Sequence, residues 1–493
     1  MLKEITGKIQ PERWMVIFLW IHILVWTLVP YWVRYALPLD AMEGATWGHQ
    51  LEWGYDKNPF VNGWLTALAV YLDQYQDWAV YLFSQLSVAI CFLAVWQLAK
   101  KMVPPIYALL AVFLLEGIQY YNVHSIDFND NTIELSLWAL TALWFYNALK
   151  SQSVRDWMLV GLLAGLGMMT KYYTIVLLIP MFLFLLVSPT NRQTFIKPAF
   201  YLGMAVFVAV VLPHVIWLFS HDFITVNYAF KRVHSRPTWI NHLEYSGRFA
   251  WQQVEAFLPA VAMALLFFVG DEPRDHSTRI PVNRFDRLFL LFVGVGPFLL
   301  TILLSAFTGM KLRAGWGTPL LSLWGILLMV WLHPPVTVKR FYRFIVLFFV
   351  LIASIVVGYS AALVRADEPS SANFPGKVIA SVLTQEWRNT YHSAVPYIAG
   401  SRWVAGNVAY YSADHPPVYI DWNPRISPWI DEAKLQAKGA IFVWDTTEPR
   451  EIPSAETLAR FKKLGDIKIM RFSWLRNKQS TPVEIAVAFL PPM

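Results

Sequence analysis

Long apolar runs separated by short polar ones set the pattern of this chain. A helix needs roughly 20 apolar residues to cross a bilayer, and Trp14 to Ala36 supplies the first such run. Further spans are expected near 78–99, 104–121, 131–149, 156–170, 172–188, 197–219, 254–270, 286–307, 315–333 and 341–363, about eleven in all. Residues 61–75 are apolar but too short to cross, so they read as an interfacial or re-entrant helix. Beyond 363 the pattern changes. Val408–Ser412, Val418–Asp421, Ala440–Trp444, Ile467–Phe472 and Val483–Leu490 read as strands, and 428–438 as a helix. The expected fold is a polytopic α-helical membrane domain, 1–363, followed by a small α/β domain, 364–493, large enough for its own core.

One polar stretch breaks the rhythm. Leu39 to Trp64, within a loop at 37–77, carries Asp40, Glu43, Glu52, Asp56 and Lys57. Loops this long usually carry function, so this one is a candidate active-site loop.

Composition agrees with the membrane reading. The chain is 56% hydrophobic and 15% charged, against about 25% charged in soluble domains. Its 24 Trp and 22 Tyr suit membrane interfaces. The net charge of +7 does not indicate nucleic acid, because the cations cluster in alternate loops: Lys100 and Lys101, Lys150 and Arg155, Arg192 and Lys197, Arg274 to Arg287, and Lys339 to Arg343. The other loops hold Asp40, Glu43, Asp56, Asp127 and Asp130. By the positive-inside rule the N-terminus is cytoplasmic and the C-terminal domain lies on the far side. The first run has no clear cleavage site and reads as an uncleaved anchor. Cys91 is the only cysteine, so no intrachain disulfide is possible.

The polar residues with chemical potential fall on that far side. Besides the first loop there are His124, Asp127, Asn129, Asp130 and Asn131 in HSIDFNDN. Lys171 stands at a span end, His221 to Glu244 form a third group, and Lys311 and Arg313 a fourth. Carboxylates serve as general bases, and cations stabilise an anion at a low-dielectric boundary. The mixture suits a reaction on a lipid phosphate. Each residue also has a plainer reading. HSIDFNDN is a good turn sequence, and Lys171 and Arg236 can anchor the interface by snorkelling. No histidine pair has metal-ligand spacing, and Asp56 with His234 would supply only two ligands.

Four local matches carry a resemblance. They are Asp40 to Glu43 just after the first span, Tyr55-Asp56-Lys57-Asn58-Pro59-Phe60, Thr170-Lys171-Tyr172, and Lys311-Leu312-Arg313 through Trp316 to Pro319. In order and placement they resemble the GT-C membrane glycosyltransferases, in the branch of protein O-mannosyltransferases and lipid A aminoarabinose transferases. Asn58 replaces a proline of that pattern, Tyr172 stands where glycine is common, and Trp316 stands near an expected tyrosine. The resemblance implies an inverting glycosyltransferase of a bacterial inner membrane. It would move a sugar from a polyprenyl phosphate to a lipid or envelope-glycan acceptor at the periplasmic face. It implies Asp40 and Asp127 as catalytic carboxylates and Lys57, Lys171, Arg236, Lys311 and Trp316 as substrate-binding residues. It also implies a divalent metal at Asp56 and His234. The alternatives are a secondary transporter, which needs mid-span charges that are scarce here, and a glycan polymerase or oligosaccharide transferase of the same architecture.

Overall fold

The structure is a computed structural model that describes residues 9–233, 238–269, 282–365, 369–476 and 480–493. Lys3 and Lys8, His234 and Arg236, and Arg274 and Arg279 lie outside the described residues. Among the described residues six helices are long and apolar enough to cross a membrane: Pro11–Val33, Trp78–Ala99, Pro198–Ser220, Trp239–Phe268, Arg284–Thr308 and Val338–Val364. Three sharply bent pairs, beginning at Pro105, Tyr172 and Ala314, raise the number to nine if each is one span. The difference from the expected eleven falls on two helices, Asp130–Ser151 and Val154–Thr170. The first carries Asp130, Glu134 and Lys150; the second has only 17 residues. The first is largely buried among its neighbours, so it needs less apolar surface than a lipid-facing span, while the second exposes only Val154, Met158 and Leu162 among its large apolar residues. Where Val154–Thr170 meets Pro198–Ser220, a Cβ on Gly161 would sit 1.9 Å from the Gly203 carbonyl oxygen. Only glycine permits that approach, a common device at membrane helix contacts.

The loop after the first span folds into two helices, Leu39–Gly48 and Val61–Asp73. Between them the Tyr55 N–H donates to the Asn58 carbonyl at 2.9 Å. This turn puts Asp56 and Lys57 at its tip.

The C-terminal part holds a five-stranded sheet: β1 (Ile398–Gly400), β2 (Val418–Ile420), β3 (Ala440–Asp445), β4 (Lys468–Phe472) and β5 (Val483–Leu490). Its order is β2-β1-β3-β5-β4. β1 pairs in parallel with β2 and β3, and β5 antiparallel with β3 and β4. The run Val408–Ser412, expected as a strand, is instead the end of helix Arg402–Tyr411. Parallel β1 and β2 require a crossover between them, and a helix is the usual one. Val404, Ala405, Val408 and Ala409 bury at helical spacing against the sheet. That core also takes in Ala36, Trp47 and Tyr55 of the first loop. The sheet domain therefore shares its core with the polar loop.

Candidate active site

Helix Leu39–Gly48 is the platform of the site. Asp40 and Glu43, three residues apart, fall on one face of it. Its first turn has no side-chain cap of its own. Asp127 supplies one from elsewhere: its Oδ1 accepts the Ala41 N–H at 2.9 Å. A carboxylate there satisfies an orphan donor and suits the positive end of the helix. Asn129 fixes the second element. Its Oδ1 accepts the N–H groups of Asn131 and Thr132, capping helix Asp130–Ser151. Its Nδ2 donates to Asp40 Oδ2 at 3.3 Å. One asparagine thus links the two helix starts that carry the carboxylates.

A cavity of about 660 Å³ opens beside this platform. Asp40, Glu43 and Asp130 line it, as do Lys57, Lys171, Arg232 and Arg313, with Trp316, Tyr172 and Tyr173 among the aromatic lining. Asp130 is held by Asn58 Nδ2 at 2.7 Å and Asn62 Nδ2 at 3.0 Å. Asn58, the departure from a proline, therefore has a job that proline cannot do. Lys171 sits in extended backbone just past helix Val154–Thr170. Its Nζ donates to Asn131 Oδ1 at 2.5 Å and lies 5.5 Å from the centre of the Trp316 ring. Tyr172 places its hydroxyl 2.6 Å from His214 Nε2.

A second cavity of about 430 Å³ adjoins the first, with Leu39, Asn129, Asn131 and Gly315 in the walls of both. Asp127, Arg34, His124 and Tyr120 line this one. Burial, and then the neighbouring Asp40 carboxylate, push the Asp127 carboxyl above the ordinary carboxylate range. A carboxyl whose folded pKa is raised favours the folded state while protonated. That contribution is complete at low pH and is lost as pH rises through the folded pKa. Asp127→Asn retains a carbonyl for the Ala41 N–H and removes the titration. The melting temperature of this variant is expected to gain on the parent between about pH 4 and about pH 7. A difference that does not vary with pH would show that Asp127 does not titrate in this range.

Of the residues singled out from sequence, Asp40, Lys57, Lys171 and Trp316 meet in the larger cavity, and Asp127 lies next door. Lys311 is exposed and does not line it; Met310, Leu312 and Arg313 do. Along this non-helical segment the Lys311 side chain faces away. His234 and Arg236 lie outside the described residues. Asp56 is buried under the loop with both carboxylate oxygens on Arg402: Oδ2 at 2.7 Å from Nη2 and Oδ1 at 3.3 Å from Nη1. Its carboxylate is committed to that guanidinium and does not fit the role of a metal ligand. Among the described residues no group of three or more His, Cys, Asp or Glu is placed to hold a metal ion. Glu43, which sequence reasoning left without a role, lines the cavity and accepts from Lys57 Nζ at 2.6 Å. Arg232 and Arg313 were visible only as loop cations, and Arg402 gave no signal at all.

Residues 57–217 match the sequence model of the dolichyl-phosphate-mannose-protein mannosyltransferase family. The fold matches the crystal structure of ArnT from Cupriavidus metallidurans bound to undecaprenyl phosphate. The TM-score is 0.62 at 13% identity, covering 98% of each chain. The apo form of that protein gives 0.59 at 12% identity, over 97% of this chain and 98% of that one. No curated protein matches the chain in sequence. The chain therefore shares its fold with ArnT across nearly its whole length, and its residues 57–217 are similar to the mannosyltransferase family.

Proposed function

We propose that the chain transfers a sugar, with inversion, from a polyprenyl phosphate to a hydroxyl or phosphate of a lipid or envelope-glycan acceptor. The observation that carries this reading is the single cavity in which Asp40 faces Lys57, Lys171, Arg232 and Arg313. Asp40 takes the proton of the acceptor. The acceptor oxygen forms the new bond to the anomeric carbon as the bond from that carbon to the phosphate oxygen breaks. The electron pair leaves on the polyprenyl phosphate, and the cations stabilise that anion. The aromatic side of the cavity, Trp316 with Tyr173 at 5.8 Å between ring centres, offers apolar faces to a sugar or prenyl unit. ArnT, whose fold the chain shares, is bound to undecaprenyl phosphate, which supports the same class of carrier here.

The basic loops support a bacterial inner-membrane location with a cytoplasmic N-terminus and a periplasmic C-terminal domain. An envelope lipid or glycan, lipid A among them, is the acceptor class of this reading. The test is a transfer assay with purified protein in lipid nanodiscs and a panel of polyprenyl-phosphate sugars. One donor is expected to lose its sugar only when an envelope lipid or glycan fraction is present. Failure of every donor, with intact protein, would overturn the reading.

A further inference from the structure

Arg402 belongs to the sheet domain, yet its guanidinium sits in the first membrane loop. Besides both oxygens of Asp56, it reaches Glu43, with Nη1 2.6 Å from Oε1. The same Glu43 oxygen accepts from Lys57, and Lys57 and Glu43 both line the larger cavity. The side chains are 19% exposed for Arg402, 12% for Glu43 and 8% for Asp56. Charges this sheltered are poorly screened. Helix Arg402–Tyr411 is seated firmly: a Cβ on Gly406 would come 2.8 Å from Thr46 Oγ1 of helix Leu39–Gly48. The Tyr411 hydroxyl accepts the Leu37 N–H at 3.0 Å.

From this network we infer that Arg402 is a positioning residue for the donor phosphate, acting through Lys57. The inference rests on the functional reading above. A planar guanidinium can hold two carboxylates at once. With Arg402 present, Glu43 is shared between two cations, so the charge of Lys57 is only partly offset and remains available to an anion in the cavity. Without Arg402, Glu43 and Asp56 are left facing Lys57 alone, and the exposed Asp421 beyond them adds to the imbalance. The Lys57 corner of the cavity then turns net acidic and holds a phosphate less well. The sheet domain is thereby part of the site: it delivers the cation at the place where Asp56 was expected to meet a metal.

The experiment measures binding of undecaprenyl phosphate to the full-length protein in neutral-lipid nanodiscs. Phosphatidic acid is the control for an unspecific anion. R402M is expected to weaken undecaprenyl phosphate binding on the order of tenfold, the scale of one unmatched charge at a sheltered site. E43Q keeps the Arg402–Asp56 pair and frees Lys57, so it is expected to bind severalfold tighter. R402M combined with E43Q is expected to recover most of the loss. A merely structural Arg402 predicts no recovery in the double variant. K377M breaks a second contact between domain and loop, Lys377 to Asp77 at 2.9 Å, outside the cavity. It is expected to leave binding unchanged. If R402M does not fold, D56N decides: it lies outside the cavity lining and releases Arg402 toward Glu43, so tighter binding supports the proposal, and unchanged or weaker binding overturns it. Equal binding by the parent and R402M overturns this proposal alone. Absence of undecaprenyl phosphate binding by the parent overturns both it and the functional reading.

Discussion

Asp40→Asn is expected to lower the transfer rate by at least about 10²-fold while leaving donor binding nearly unchanged, since a positioned general base typically contributes 10²–10⁴-fold. The substitution is close to isosteric. The Asn129 amide keeps an oxygen to donate to, the Ala41 N–H keeps Asp127, and the buried face of helix Leu39–Gly48 is untouched. What is lost is the ability to accept a proton. Single-turnover rates at saturating donor measure the effect, with a donor-binding isotherm alongside. A variant that transfers at a near-parental rate would remove Asp40 from the mechanism. A variant that binds donor poorly would recast Asp40 as a binding residue.

Lys171→Ala is expected to act on the other side of the reaction. Its ammonium is fixed by Asn131 and lies over Trp316, in the wall of the cavity that holds Asp40. A charge-assisted hydrogen bond to a phosphate contributes roughly 1.5–3 kcal/mol. Donor use should therefore weaken by about one to two orders of magnitude, with Lys171→Arg restoring part of it. Rates measured across donor concentrations distinguish the cases. A higher donor requirement with a largely preserved maximum is the expected result. An unchanged donor requirement would show that Lys171 only anchors its helix.

Much of this arrangement was legible before any coordinates. The six long apolar helices follow from apolar run length, and four of the five strands follow from short apolar runs between turns. Asp40, Lys57 and Lys171 were singled out by their place among the far-side polar residues and by the family resemblance of the segments that carry them. The failures have specific causes. Glu43 was discounted because Leu39–Gly48 read as a polar loop. Only as a helix does it put Glu43 on the face of Asp40. Val408–Ser412 has the β-branched and aromatic look of a strand, and tertiary context overrode it, because the crossover between two parallel strands needed a helix there. β1 has three residues, Ile398-Ala399-Gly400, with only one β-former among them. Arg402 lies 346 residues from Asp56. Nothing in its local sequence marks it, since its partner is set by how a domain docks. Asn129 is intermediate: the Asx turn was readable, but its bond to Asp40 was not.

On the proposed function, Asp40 drives acceptor-dependent release of a sugar from a polyprenyl phosphate. The most direct measurement follows a labelled polyprenyl-phosphate sugar with parent and Asp40→Asn protein side by side, and determines the anomeric configuration of the product. The prediction is acceptor-dependent release by the parent alone, with inverted configuration. Equal release by both proteins, or a product of retained configuration, would contradict it.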